Sequence, residues 1–446
     1  MSASAVESTT PTTATTEYRT LGHQRALDGL RAIAVLAVLV YHNSWHSGQA
    51  NWVPGGFLGV DVFFVLSGFL ITGILLGQHA STGTTISRAF WYRRARRLLP
   101  AMLLMLVIVC AYTVARAQPW ELGPTRWRSI AALFYVENWY AILAHARPAP
   151  VSHTWSLSIE EQWYFVWPFL LGGLLLVARG RRALLAVAMF VIAVASAILM
   201  AHYANGGDLT RAYESTQVRA GELVVGGLLA LAVQRGHVVR RRGAQIAVEA
   251  AGVAGAAWIL WCFMSVTIID LGMYRGGTYA LAFATAFVIL AAIQPGSPII
   301  GRFLSWRPLV AIGLVSYGLY LFNIPVFMWL DHQFTGLNPV PLTVLRFAVL
   351  AGLAWASYAL LEQPFRRGAF AGRGHWLAIG GTLTVLVIIL VSTAGARAEL
   401  PWESQHDAYA LYADEVASGT PRLLVIGEAD ALALTASNEQ ATKVNG

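Results

Sequence analysis

Residues 27–42 read LDGLRAIAVLAVLVYH, and residues 57–77 read FLGVDVFFVLSGFLITGILLG. Each is an apolar run close to the length at which a helix, rising ~1.5 Å per residue, crosses ~30 Å of hydrocarbon. Comparable blocks follow at 98–115, 156–178, 183–203, 216–234, 245–269, 276–293, 309–330, 341–361 and 374–394. Strands of a membrane barrel would be shorter and would alternate in polarity. The pattern predicts an all-α polytopic membrane protein of about eleven transmembrane helices. Composition agrees: of 446 residues 57% are hydrophobic and only 12% charged, too few charges to cover a soluble surface.

Arginine orients the spans. The joins at 78–97, 179–182, 235–242, 294–308 and 362–373 hold 17 Arg, and the joins at 43–56, 116–155, 204–215, 270–275 and 331–340 hold 6. By the positive-inside pattern the N-terminus is expected in the cytoplasm and the tail from residue 395 outside. A net charge of +8 does not imply a nucleic-acid partner, because most of these arginines sit in short joins beside spans. Cys110 and Cys262 both lie inside apolar blocks and read as buried structural thiols. Residues 1–26, rich in Thr, Ser and Ala without an apolar core, are expected to be a disordered cytoplasmic leader rather than a signal peptide.

Ionisable side chains inside the spans are functional candidates, because each must find water, a partner or a ligand. The basic ones are Arg31, Arg219 and Arg346; the acidic ones are Asp61, Glu160, Glu161, Glu222 and Glu249, with Asp28 at the edge of the first span. Arg31 and His42 are eleven residues apart, so both lie on one helix face, ~16 Å apart along the axis. Each also has a structural reading: Arg31 as a helix-end ion pair with Asp28, and His42 as an interfacial histidine in YHNSWH. Asp61 can orient His42, pair with an arginine, or make a packing hydrogen bond. Arg219 and Glu222, three apart in TQVRAGELVVGG, can neutralise one another.

Glu160 and Glu161 follow HTWSLSI at the start of the fourth span, where acids suit the electropositive first turn. Flanked by His153, Trp155, Trp163 and Tyr164, they form an aromatic and acidic rim suited to a sugar. The join 116–155, with Trp120, Trp127, Trp139 and Tyr140, reads as a re-entrant or interfacial element over a cavity, or in part as an aromatic belt.

Six strings in order, LDGLRAIAVLAVLVYH, FLGVDVFFVLSGFLITG, FWYRRARRLLPA, HTWSLSIEEQWYFVWP, SYGLYLFNIPV and LEQPFRR, are together similar to those of the membrane acyltransferase-3 family. The family includes O-acetylases of cell-surface glycans and enzymes that acylate glycolipids. The resemblance covers about residues 24–370 and implies a ten-helix acyltransferase domain over 27–370, with an additional helix at 371–396. It implies that Arg31 and His42 are essential, with His42 the leading catalytic candidate and Asp61, Glu160 and Glu161 the accompanying acids. Acyl-CoA, most often acetyl-CoA, is the implied cytoplasmic donor, its phosphates near Arg31, Arg93, Arg94, Arg96 and Arg97. The implied acceptor is a hydroxyl of an extracytoplasmic cell-envelope glycan or glycolipid, expected to meet Trp155, Trp163, Tyr164 and Asn323. No metal is implied. Many members carry His at the position of Asn323, which cannot act as a base near neutral pH.

The helix at 374–394 and the tail beyond it resemble the subgroup that carries an SGNH hydrolase-like domain. In PRLLVIGEADALAL, Gly427 is followed by Glu428, Ala429 and Asp430 where members read Asp-Ser-His, so the nucleophilic hydroxyl is missing. Residues 397–446 are therefore expected to be an extracytoplasmic remnant of that domain without a triad. The competing function classes are a transporter or flippase, which embedded charge also suits, and a catalytically silent membrane partner.

Overall fold

The computed structural model describes residues 24–47, 51–118, 121–144, 148–234, 239, 241–367 and 374–396. Most of the expected leader and the tail from residue 397 lie outside the described residues. Among the described residues there are helices and no strand. Hydrocarbon offers the backbone no water, so a spanning segment must pair its N–H and C=O groups within itself.

The chain runs through α1 (Arg25–Ser47), α2 (Gly59–Thr82), α3 (Arg88–Arg116), α4 (Leu122–Leu133), α5 (Glu137–Ala144) and α6 (Trp155–Ala178). It continues with α7 (Arg182–Asn205), α8 (Leu209–Glu214), α9 (Thr216–Val233), α10 (Arg242–Ser265), α11 (Thr278–Ala292) and α12 (Ile300–Leu304). The last third holds α13 (Arg307–Leu314), α14 (Ser316–Trp329), α15 (His332–Thr335), α16 (Pro339–Ser357), α17 (Gln363–Arg367) and α18 (Gly374–Ser392). Among the described residues, nine helical segments are long and apolar enough to cross a membrane, and the pair α13 and α14 makes ten. The apolar helix Trp376–Ser392 is shorter and coincides with the eleventh expected span.

Lipid is as apolar as the helices it surrounds, so helix association depends on close packing and on polar contacts. At the α2–α9 crossing both occur. A Cβ on Gly68 would run into the Leu223 carbonyl, and one on Gly226 into the Val65 carbonyl, so the two backbones touch through reciprocal glycines. Beside them Arg219 of α9 donates to Asp61 of α2 at 2.8 Å and to Glu222 at 2.7 Å, while its Nε donates to the Tyr213 carbonyl at 2.6 Å. All three charged side chains are 1% exposed or less. Of the three readings open for Asp61, the structure shows the pairing with an arginine, Arg219, and not the orientation of His42.

The expected single span 309–330 is instead two helices, α13 and α14, bent by 65° at Val315. Gly313 packs against the Asp28 carbonyl of α1, a proximity that a Cβ would block. Hydropathy does not register the break, because both sides of it are apolar. Proline also shapes the bundle. Pro325 in α14 lacks the N–H that would bond the Leu321 carbonyl, which instead meets His153 Nε2 at 3.0 Å. Pro168 in α6 likewise frees the Tyr164 carbonyl, which accepts from Trp91 Nε1 at 3.1 Å. At the far end of α14, Arg346 donates to the Phe327 and Leu330 carbonyls at 3.0 and 2.8 Å, covering acceptors the helix terminus leaves over.

The segment between α3 and α6 folds as a helical hairpin, α4 and α5, held by a buried pair between Arg128 Nη1 and Glu137 Oε1 at 2.9 Å. Gln162 of α6 donates to the Tyr135 carbonyl at 2.8 Å, and Tyr135 turns the chain with φ of 55°.

Replacing Arg219 with Leu strips two buried carboxylates of their common partner and should lower stability by about 3–5 kcal/mol. The readouts are the thermal unfolding midpoint in detergent and the yield of monodisperse protein; an unchanged midpoint would contradict the clamp.

Candidate active site

Helices α1, α2, α3, α6 and α14, with the α4–α5 turn, enclose a cavity of about 180 Å³. Arg31, Arg94 and Arg97 line it together with Glu160, Glu161, Tyr164, Ser67, Tyr135, Ser156, Tyr317 and Tyr320. Three guanidinium groups here face two carboxylates. Arg94 and Arg97 are three residues apart on α3 and so share a face. Arg93 and Arg96 are not among the lining residues: Arg93 is exposed, and Arg96 is spent on the Phe365 carbonyl and the ring of Tyr92. Of the five arginines expected near the donor's phosphates, Arg31, Arg94 and Arg97 thus line the cavity and Arg93 and Arg96 do not.

The wall opposite the arginines is ordered by hydrogen bonds. Ser67 Oγ donates to Glu160 Oε1 at 2.8 Å, and the Tyr164 hydroxyl lies 3.1 Å from Glu160 Oε2 and 3.0 Å from Ser67 Oγ. The Arg94 guanidinium sits 3.6 Å above the centre of the Tyr164 ring, a cation–π contact. Glu161 Oε1 is buried and accepts no hydrogen bond among the described residues. Arg31 bonds to Asp28 at 2.9 Å, so the helix-end pair exists, and its guanidinium also borders the cavity.

His42 lies along the same face of α1 as Arg31, ~16 Å further along the axis. Its Nδ1 is 2.7 Å from Oδ1 of Asn323 on α14. Asn323 is fully buried, and its Nδ2 donates to the Tyr320 carbonyl. The residue after His42, Asn43, accepts from Arg346 Nη1 at 3.1 Å and donates to Thr343 at 3.2 Å, which ties this end of α1 to α16. Among the described residues no carboxylate meets the His42 ring; Asn323 occupies that place.

The expected aromatic rim is largely core. Trp163 stacks on Trp167 at 4.5 Å, and Trp155 packs against Tyr213 at 4.7 Å, both rings buried. Of the four residues expected to meet the acceptor, Tyr164 lines the cavity and Asn323 stands behind His42. Glu160 and Glu161 do share one site, but it is the arginine-lined cavity and not an outer rim. Residues overlooked in the sequence include Ser67, Tyr135, Ser156, Tyr317 and Tyr320. One signal was present in SYGLYLFN: Ser316, Tyr320 and Asn323 recur at i, i+4 and i+7, a polar stripe on an otherwise apolar helix.

The family model described as Acyltransferase domain (acyltransferase-3) matches residues 24–396. The chain is 34% identical over 378 residues to the O-acetyltransferase of Staphylococcus aureus, an alignment covering 82% of this chain and 61% of that protein. It is 33% identical over 395 residues to the peptidoglycan O-acetyltransferase of Listeria monocytogenes, covering 81% of this chain and 62% of that protein. Less than two thirds of each relative's length is therefore spanned. No solved structure matches. The motifs at 27–42, 57–73 and 153–168 all fall within the matched region and build the cavity and its histidine, and the chain belongs to the acyltransferase-3 family.

Proposed function

We propose that this protein is a membrane O-acyltransferase that moves a short acyl group, acetyl in the first instance, from acyl-CoA to a hydroxyl of cell-envelope peptidoglycan. One observation carries the reading: a cavity lined by three arginines is joined, through the single helix α14, to a histidine on the same face of α1 as Arg31. The names of the relatives favour peptidoglycan as acceptor. The protein works in a bacterial inner membrane with its N-terminus in the cytoplasm, so the Arg31 end of α1 faces the donor and the His42 end faces the acceptor.

Arg31, Arg94 and Arg97 suit the donor's phosphates, because guanidinium groups bind phosphate oxygens through charge-assisted, often bidentate hydrogen bonds. The ~16 Å between Arg31 and His42 leaves room for an extended arm carrying the thioester toward the histidine. His42 takes the proton of the acceptor hydroxyl as that oxygen attacks the thioester carbonyl. The carbon–sulfur bond breaks, the new ester bond forms, and the imidazolium returns the proton to the departing thiolate. Glu160, held by Ser67 and Tyr164, and Glu161 supply acceptors for the amide N–H groups of the arm.

The test uses the full chain in lipid vesicles with radiolabelled acetyl-CoA and peptidoglycan fragments. Wild-type protein should place label on the glycan as an alkali-labile ester; a glycan without label sinks the reading. His42→Ala should cut transfer by at least roughly 10²-fold while abundance and unfolding midpoint hold. Transfer at the wild-type rate would remove His42 as the base.

A second prediction separates the arginines by helix face. Arg94→Gln and Arg97→Gln should each raise KM for acetyl-CoA at least about tenfold, equivalent to ~1.4 kcal/mol of binding. Arg93→Gln should change it less than about twofold, because that side chain points away from the cavity. Equal effects at all three positions would place the donor elsewhere.

A further inference from the structure

Resting on the acyl-transfer reading, we infer that Asn323 is a positioning residue that holds His42 in the Nδ1–H tautomer and thereby makes Nε2 the basic nitrogen. The argument follows from which atoms can donate. The Asn323 side chain meets two partners, the Tyr320 carbonyl and His42 Nδ1. A backbone carbonyl only accepts, so the amide nitrogen faces Tyr320; the flipped amide would set two acceptors against each other. Oδ1 is then the atom 2.7 Å from His42 Nδ1. An amide oxygen only accepts, so Nδ1 carries the hydrogen. In a neutral imidazole the other nitrogen is left without one.

The surroundings agree with that assignment. Among the described residues the His42 ring makes no hydrogen bond other than that to Asn323, and His42 is partly exposed while Asn323 is fully buried. The nitrogen turned away from Asn323 is therefore the one open to an incoming group. The anchor is itself held: the Tyr320 hydroxyl donates to the His153 carbonyl at 2.7 Å and lies 2.6 Å from Ser156 Oγ. His153 in turn meets the Leu321 carbonyl that Pro325 leaves without a helix partner. A chain of contacts runs from Ser156 through Tyr320 and Asn323 to His42, fixing the imidazole from behind.

An amide serves here where a carboxylate stands in many histidine-based sites, and it orients the ring without adding a second charge to an apolar bundle. When Nε2 takes the acceptor's proton, Nδ1–H stays on Asn323 Oδ1. Nothing is transferred to the amide, and the Nε2 proton is the one returned to the thiolate.

The test is nitrogen NMR of full-length protein carrying ¹⁵N-histidine in lipid nanodiscs, with His42→Gln identifying the His42 signals by difference. Nδ1 should show the protonated and Nε2 the unprotonated shift; a protonated Nε2 with a bare Nδ1 overturns the inference. Asn323→Ala should mix the tautomers and lower kcat roughly 10²- to 10⁴-fold, with KM for acetyl-CoA changed less than about twofold. Asn323→Asp keeps the acceptor and should restore the Nδ1–H signature with kcat within about tenfold of wild type. An Asn323→Ala protein with wild-type tautomer and kcat, or an Asn323→Asp protein no better than Ala, overturns the positioning role. With the His42 signals assigned, the wild-type spectrum reads the resting ring whether or not the Asn323 variants fold and whether or not acyl is transferred. A failure of this inference is therefore distinguishable from a failure of His42 as the base.

Discussion

Within the hydrocarbon there is no water to satisfy a polar group, and each one that enters the bundle must find its partner in the protein. That constraint explains why Arg219 binds Asp61, Glu222 and the Tyr213 carbonyl together, leaving its charge and its Nε both partnered. It explains Arg346, which is consumed by carbonyls at the end of α14 and by Asn43. The same rule governs the prolines. A carbonyl released by Pro325 or Pro168 does not stay bare but recruits His153 or Trp91 from a neighbouring element, so a local break in a helix becomes a tertiary tie.

Helix α14 is where these ties converge. It contributes Ser316, Tyr317 and Tyr320 to the cavity and Asn323 to His42, so a 14-residue helix carries both halves of the candidate site. The 65° bend before it tilts this helix away from the direction of α13, which packs closely on α1 at Asp28. The arginine-lined cavity and the histidine thus share one helix.

Much of this was legible in the residues. The spans were visible because helix length and hydrocarbon thickness match, and Arg31 and His42 were placed on one face by helical period alone. Helical spacing pairs Arg97 with both Arg94 and Arg93, three and four residues away, so telling which of them meets the cavity needed the position of α6. Trp155 and Trp163 misled for a physical reason: an aromatic beside acidic residues has the same sequence appearance whether it rims a sugar site or packs a core. Only the neighbours, Tyr213 and Trp167, decide which. Asp61 is a similar case, since a lone acid in an apolar run must have a partner but does not name it.

Order along the chain determined the helices, their lengths and the phase of each side chain around its axis, because these depend on residues a few positions apart. Tertiary structure alone decided the pairings that span long separations: Asp61 with Arg219, Glu160 with Ser67, His42 with Asn323. Those pairings depend on which helices touch and at what depth. Glycines such as Gly68 and Gly226 permit that contact, but it is the backbone of the opposing helix that completes it. The bend at Val315 lay beyond reach for the same reason: it arises where α13 meets α1, and not within the apolar run that contains it.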